Sequence, residues 1–138
     1  MKLKKALNNK VFLGGTCNDS KWRETIIPLL KINYFNPVVK NWTEEAQKEE
    51  LKQREECSFV LYTITPLMTG VYSIAEVIDD SNKRPHKTIF VTLPKDGDKE
   101  FTPQQLKSLK AVGDMVTRNG GETFNSLEDA ANYLNNMY

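Results

Sequence analysis

The run Cys57-Ser58-Phe59-Val60-Leu61-Tyr62-Thr63-Ile64-Thr65 is the strongest strand signal in the chain, rich in β-branched and aromatic residues and nearly continuous in apolar character. A strand with one wet face alternates apolar and polar side chains, whereas a strand covered on both faces has no need to. Cys57–Thr65 therefore reads as the central strand of a parallel sheet. Pro66-Leu67-Met68-Thr69-Gly70 ends it in a loop. Val71 to Asp80 then reads as helix, broken by Asp80-Ser81-Asn82-Lys83-Arg84-Pro85.

Upstream, TEEAQKEELKQREE at 43–56 is a charged helix with Thr43 as its N-cap; its few apolar residues predict a surface facing water or a partner. Ile32–Phe35 forms a second strand, halted by Asn36-Pro37, and Lys10–Leu13 runs as a strand into Gly14-Gly15. Between them lies a helix capped by Asn18, Asp19 or Ser20, with Trp22, Ile26, Ile27, Leu29 and Leu30 as apolar positions. Pro28 requires a kink or a short first turn there. Downstream come a fourth strand, Thr88–Leu93, and a polar loop, PKDGDKE. A helix from Pro103 to Arg118 ends at Gly120-Gly121, a short strand spans Glu122–Phe124, and Ser126 opens a last helix with Glu128 and Asp129 in its first turn.

The alternation predicts an α/β fold: one doubly wound sheet of about five parallel strands with helices on both faces. Residues 1–138 read as a single domain, with 1–9 as a flexible basic N-terminus. In such a sheet a ligand crevice opens beyond the strand C-termini. Three loops are expected to meet there: Gly14 to Ser20, Asn36 to Trp42 and Thr65 to Ser73.

Composition narrows the classes of function. Nineteen Lys and Arg stand against 18 Asp and Glu, a net charge of +1, so no field attracts a polyanion and nucleic acid is not an expected partner. No run of roughly 20 apolar residues exists to span a bilayer, and MKLKKALNNK lacks the apolar core of a signal peptide. A cytoplasmic location without membrane contact is the expectation, with Cys17 and Cys57 as reduced thiols. One histidine, His86, and two distant cysteines cannot form a standard zinc site, so no metal is expected.

Glu76 stands one turn inside the helix after the central strand, with Tyr72 and Ser73 four and three positions before it on nearly the same face. It is either a carboxylate aimed into the crevice or a solvated helix glutamate. Gly14-Gly15 either lets backbone N–H groups approach a sugar or phosphate or makes a tight turn without ligand. The pair is neither GxGxxG nor a P-loop, so no dinucleotide or ATP is implied. Thr16, Asn18, Ser20 and Arg23 add donors suited to a hydroxyl-rich or anionic ligand. Cys17 has no neighbouring histidine in sequence, Cys57 reads as packing, and His86 as solvated.

VFLGGTCN (11–18), YFNPVV (34–39), CSFVLYTITPLMTGVYSIAE (57–76) and KTIFVTL (87–93), in this order and spacing, resemble the nucleoside 2-deoxyribosyltransferase family, most closely its short, deoxyribosyltransferase-like branch. The likeness runs from Lys10 through the C-terminal helices. It implies a flavodoxin-like fold, a homodimer or larger homo-oligomer, and a small-molecule nucleoside or nucleotide as ligand, with no cofactor. It also implies that Glu76 attacks the anomeric carbon, expels the base and holds the sugar as an ester until water or a second base releases it. Members carry an acid on the helix before the third strand, which here falls on Glu50, a Glu where the family usually has Asp. Glu50 is thereby a candidate to protonate the departing base or to hold the sugar. The resemblance makes Gly14, Gly15, Thr16, Asn18, Arg23, Asn36, Trp42, Gly70, Tyr72 and Ser73 the candidate substrate-binding set. Transferase members commonly have Asp where this chain has Gly70, and some have Tyr where it has Phe12; Tyr72 is a candidate replacement for that phenol.

The chemistry matches these groups. A departing nucleobase leaves positive charge on the sugar, which a carboxylate stabilises, and covalent capture splits one hard step into two. Retaining glycosidases solve the same problem with two carboxyls about 5 Å apart, one protonated by virtue of its surroundings. The expected function is cleavage or exchange of the N-glycosidic bond of a nucleoside or nucleoside 5′-monophosphate. Two other classes stay open: a non-catalytic pocket for a nucleotide or nucleotide signal, favoured by Gly70, and a subunit that uses its charged helix for partner contacts.

Overall fold

A computed structural model provides the structure of the chain and describes residues 8–137. Five strands form one parallel sheet: β1 (Lys10–Gly15), β2 (Asn33–Phe35), β3 (Phe59–Ile64), β4 (Thr88–Thr92) and, after a small hairpin, β7 (Glu122–Phe124). Their order is β2-β1-β3-β4-β7, every neighbouring pair parallel. This is the flavodoxin-like doubly wound arrangement, with its topological switch between β1 and β3. The chain leaves β1 toward β2 and leaves β3 toward β4, so the two connections diverge and a crevice opens between them.

The alternation of the strands sorts the core into two layers. Val11, Leu13, Phe59, Leu61, Ile89 and Val91 point to one face, against Trp22 and Ile26 of α1 (Trp22–Ile26) and Ala130, Ala131 and Leu134 of α5 (Leu127–Asn135). Phe12, Val60, Tyr62, Ile64 and Phe90 point to the other, against Val77 of α3 (Tyr72–Lys83) and Leu109 and Val116 of α4 (Pro103–Asn119). All six residues of β3 are buried, which is why its sequence is apolar without alternation. Each large side chain so enclosed contributes roughly 1.5–3 kcal/mol relative to exposure.

Helix ends follow local chemistry. Thr43 Oγ1 accepts from the Ala46 N–H at the start of α2 (Glu44–Glu56). Thr102 and Gln105 form a reciprocal capping box at α4, which ends on Gly120 at φ 110°. Ser126 caps α5 through the Asp129 N–H.

The structure corrects three expectations. Asn18, Asp19 and Ser20 do not cap α1: Lys21 holds the N-cap position without a side-chain bond, because Asn18 and Ser20 are engaged elsewhere. The α1 segment is a single turn and a half that tightens into a 3-10 turn at Ile27–Leu29, with Pro28 inside it. The polar stretch after β4 is a hairpin, β5 (Lys95–Asp96) with β6 (Lys99–Glu100), turned by Gly97 at φ 64°. Finally, α3 does not break at Asp80 but continues to Lys83. The Ser81 hydroxyl and the Asn82 amide both bond back to the Ile78 carbonyl, and Pro85 then prevents continuation.

Residues 1–7 of the N-terminal segment lie outside the described residues. Asn8 and Asn9 are tied to the start of β3: the Ser58 N–H donates to Asn8 Oδ1 at 3.0 Å and the Asn9 N–H to Ser58 Oγ at 2.8 Å. No helix among the described residues is long and apolar enough to cross a membrane.

Candidate active site

The crevice is shaped first by the end of β1. Gly14 and Gly15 are required by the neighbouring strand rather than by a ligand alone. A Cβ on Gly14 would stand 2.7 Å from the Tyr62 ring, and one on Gly15, which has φ +123°, would stand 2.1 Å from the Thr63 carbonyl oxygen. Beyond the strand, Thr16 extends the pairing with β3: its N–H donates to Thr63 O and its hydroxyl accepts from the Thr65 N–H.

Arg23 is buried and serves this same turn. Its Nε donates to Leu13 O at 2.9 Å, Nη1 to Thr16 O at 2.8 Å and Nη2 to Gly15 O at 3.3 Å, with the guanidinium 4.5 Å over the Trp22 ring. Three of its five N–H groups are thus directed at backbone carbonyls. Burial lowers its pKa from the ordinary arginine value, and Cys17 beside it opposes that shift.

The second wall is the loop from β3 to α3. Asn18, in the left-handed region at φ 50°, donates its amide to Leu67 O at 2.7 Å and to Thr69 Oγ1 at 3.3 Å, joining the two loops. Ser20 reaches across to Asp96 of the hairpin at 2.6 Å. A small pocket of about 140 Å³ lies between these loops, lined by Gly15, Thr16, Asn18, Thr69, Gly70 and Ser73 among others, and by no carboxylate.

A larger cleft of about 310 Å³ adjoins it, sharing Gly15, Cys17, Tyr72 and Ser73. Phe12, Gly14 and Gly15 of β1 line it, together with Arg23, Pro37, Val38 and Trp42. Gln47, Glu50 and Leu51 of α2 face Glu76, Tyr72 and Ser73 of α3 across it. Between them the two cavities gather every candidate residue except Asn36. That amide turns back on its own loop, where Oδ1 accepts from the Val38 N–H at 3.1 Å. Trp42 and Tyr72 are more than half exposed at the mouth.

Glu76 is 8% exposed and lines the cleft. Its carboxyl is pushed up to about 8, by burial first and then by a side-chain hydrogen bond with Glu50 and the charge of that residue, while Arg54 pulls the other way. Glu50 and Glu76 line the same cleft, and the raised carboxyl of Glu76 keeps a proton there near neutral pH. This pair can offer both an acid and a carboxylate nucleophile.

Sequence reasoning missed the group behind the pair. Arg54 is buried on a helix expected to be solvated. It donates from Nε to Asp80 Oδ2 at 3.1 Å, from Nη2 to Asp80 Oδ1 at 3.0 Å and to Asp79 Oδ2 at 3.1 Å, and stands 3.5 Å from Glu76 Oε2 through Nη1. Burial alone would lower its pKa; the bond to Asp80 and the neighbouring charges more than reverse this and hold it above the ordinary arginine value. Asp80, fully buried, also accepts from the Tyr62 hydroxyl and from Arg84. The signal available was spacing: Arg54 follows Glu50 by four residues and Asp80 follows Glu76 by four, one helical turn in each case.

His86 is exposed, Cys57 is buried with its thiol donating to Gln53, and Cys17 is exposed at the junction of the cavities. Among the described residues no group of three or more His, Cys, Asp or Glu side chains is arranged to hold a metal ion. A family model described as nucleoside 2-deoxyribosyltransferase like matches residues 8–96, which include both loops of the crevice, α2 and α3. No curated protein matches the chain significantly.

Proposed function

The chain belongs to the nucleoside 2-deoxyribosyltransferase-like family, and from that membership we propose that it cleaves or exchanges the N-glycosidic bond of a nucleoside or nucleoside 5′-monophosphate, with Glu76 as the group that meets the anomeric carbon. The observation that carries this reading is the placement of Glu50 and the buried Glu76 in one cleft, where burial and Glu50 raise the Glu76 carboxyl. A single hop along their hydrogen bond gives an ionised Glu76 and a protonated Glu50. The Glu76 carboxylate attacks C1′ as the bond to the base breaks, and Glu50 delivers its proton to the departing base. Water or a second base then takes the sugar from the ester, with Glu50 accepting the proton of the incoming group.

The smaller pocket offers hydroxyl and amide donors without a carboxylate, a composition suited to the 5′ end of the substrate, hydroxyl or phosphate alike. Trp42 and Tyr72 at the mouth supply aromatic surface for the base. Incubation with deoxynucleosides and 5′-monophosphates, with and without an acceptor base, should release or exchange base measurable by chromatography. Absence of both from the whole panel sinks the enzymatic reading.

A second reading, a non-catalytic nucleotide-binding pocket, is favoured by Gly70 and Phe12, which stand where transferases of the resembled family carry an acid and a phenol. Stabilisation by nucleotides in a thermal-shift screen without turnover supports it.

A further inference from the structure

Arg54, Asp80 and Tyr62 line neither cavity; they lie behind Glu76. Asp80 grips the Arg54 guanidinium on two N–H groups, and the Tyr62 hydroxyl, 2.5 Å from Oδ2, holds Asp80 in turn. A two-point fork of this kind fixes the plane of a guanidinium. With the plane fixed, Nη1 is directed at Glu76 Oε2, 3.5 Å away, with side-chain exposures of 6% and 9%. Glu50 lines the cleft together with Glu76. One helix therefore presents Glu76 with an acid and, a turn later, a permanent cation.

We propose that Arg54, locked by Asp80 and Tyr62, is a positioning residue that holds Glu76 in place and favours its ionised form, so that the Glu76 proton passes to Glu50 when substrate fills the cleft. In that step the O–H bond of Glu76 breaks, the O–H bond of Glu50 forms, and the negative charge moves to the carboxyl beside Arg54; no further reactant is needed. The inference rests on the glycosidic reading above and adds what selects the nucleophile. The other groups around Glu76 do not supply this bias. On its own helix Asp79 and Asp80 are acidic, Tyr62 of β3 donates to Asp80, and β1 contributes Phe12 and glycines. Arg23 of α1 lines the same cleft with three N–H groups directed at carbonyls.

The test is a 13C NMR titration of the glutamate carboxyls in the intact protein, with the Glu76 signal assigned by its loss in Glu76→Gln. In Arg54→Met the Glu76 titration should move upward by about 1–3 pH units, the range an opposite charge at this distance commands. Arg54→Lys keeps a charge for Asp80 and so preserves the fold if the Met variant does not. A single ammonium cannot serve Asp80 and Glu76 together, so a smaller shift in the same direction is expected. A Glu76 titration unmoved in a folded variant overturns the proposal, whereas a purely structural role lowers Tm and leaves the titration alone. The alkaline limb of kcat/KM should move with the titration, with kcat falling and KM changing less than about threefold. The titration needs no substrate. Base release with an unshifted Glu76 therefore removes only the role of Arg54, and a shifted Glu76 without base release removes only the catalytic reading.

Discussion

Asn18 Nδ2 donates to the Leu67 carbonyl at 2.7 Å, fastening together two crevice loops that are 49 positions apart in the chain. The bond is exposed, so its contribution to stability is small, about 1 kcal/mol or less. Its contribution to the shape of the smaller pocket is larger, because Asn18 lines that pocket and Leu67 directly precedes Met68 and Thr69, which line it too. Asn18 also holds φ at 50°, which Asn and Gly tolerate and Ala does not. Asn18→Gly therefore isolates the amide bridge from the backbone. The expected outcome is a KM raised several-fold with Tm within a few degrees of wild type; Asn18→Ala should lose more stability than Asn18→Gly. An unchanged KM in the Gly variant separates this bridge from substrate binding.

Burial and Glu50 raise the Glu76 carboxyl from 4.5 to about 8, so the folded chain holds a proton that the unfolded chain releases across that interval. Where the native state binds more protons, stability falls as pH rises. The contribution is fully present below about pH 4.5 and lost as pH passes through about 8. One pKa unit corresponds to about 1.4 kcal/mol, so the loss is on the order of a few kcal/mol. Glu76→Gln keeps the shape and the neutral state at every pH. Its stability relative to wild type should therefore climb between pH 5 and 8 while catalysis is abolished. Parallel pH–stability curves from denaturant melts contradict the raised Glu76 carboxyl.

Much of this geometry was legible beforehand, for definable reasons. Cys57–Thr65 announced a strand buried on both faces because such a strand needs no polar residues, and the punctuation at Gly14-Gly15, Asn36-Pro37 and Gly120-Gly121 bounded its neighbours. The position of Glu76 on the crevice helix followed from the chain order. Arg54 and Asp80 were not legible, because a buried charge reveals itself only through its partner. Arg54 sits in EELKQREE, where six of eight residues are charged and all resemble a solvated face. The partner, Asp80, is 26 positions away and looked like the end of a helix. The hairpin at Lys95–Glu100 carried its Gly97-Asp98 turn in plain sight, but polar flanks concealed the strands. Asn36 had the composition of a site loop, yet its amide serves its own turn.

Gly15 tests whether the glycine pair belongs to the fold. A Cβ there would meet the Thr63 carbonyl at 2.1 Å, backbone against backbone, in a conformation at φ +123° that side chains rarely adopt. β1 and β3 form the centre of the sheet, so neither strand can move aside without loss of core packing. Gly15→Ala should be destabilised by more than about 3 kcal/mol or fail to accumulate as folded protein, read by thermal melting. A folded Gly15→Ala with wild-type Tm and impaired binding instead assigns the glycine to ligand approach.

Gly70 is the opposite case, and it reports on the substrate. Nothing lies within 4 Å of a Cβ placed there, and the residue lines the smaller pocket six positions before Glu76. Gly70→Ala should fold with a stability change of about 0.5 kcal/mol or less. Gly70→Asp adds a carboxylate to a pocket that has none. If the 5′ group of the substrate occupies that pocket, a phosphate there meets a like charge, while an uncharged 5′ hydroxyl meets a hydrogen-bond acceptor. At a few ångströms and the effective dielectric of a partly enclosed site, the repulsion reaches at least about 1.4 kcal/mol, a factor of ten in binding. Gly70→Asp is therefore expected to raise KM for nucleoside 5′-monophosphates about tenfold or more and to change KM for deoxynucleosides less than about threefold. Steady-state kinetics on the two substrate classes, with Gly70→Ala as the uncharged control, measures the difference. Equal effects on both classes place the 5′ end outside the smaller pocket and reverse the orientation of the substrate across Glu76.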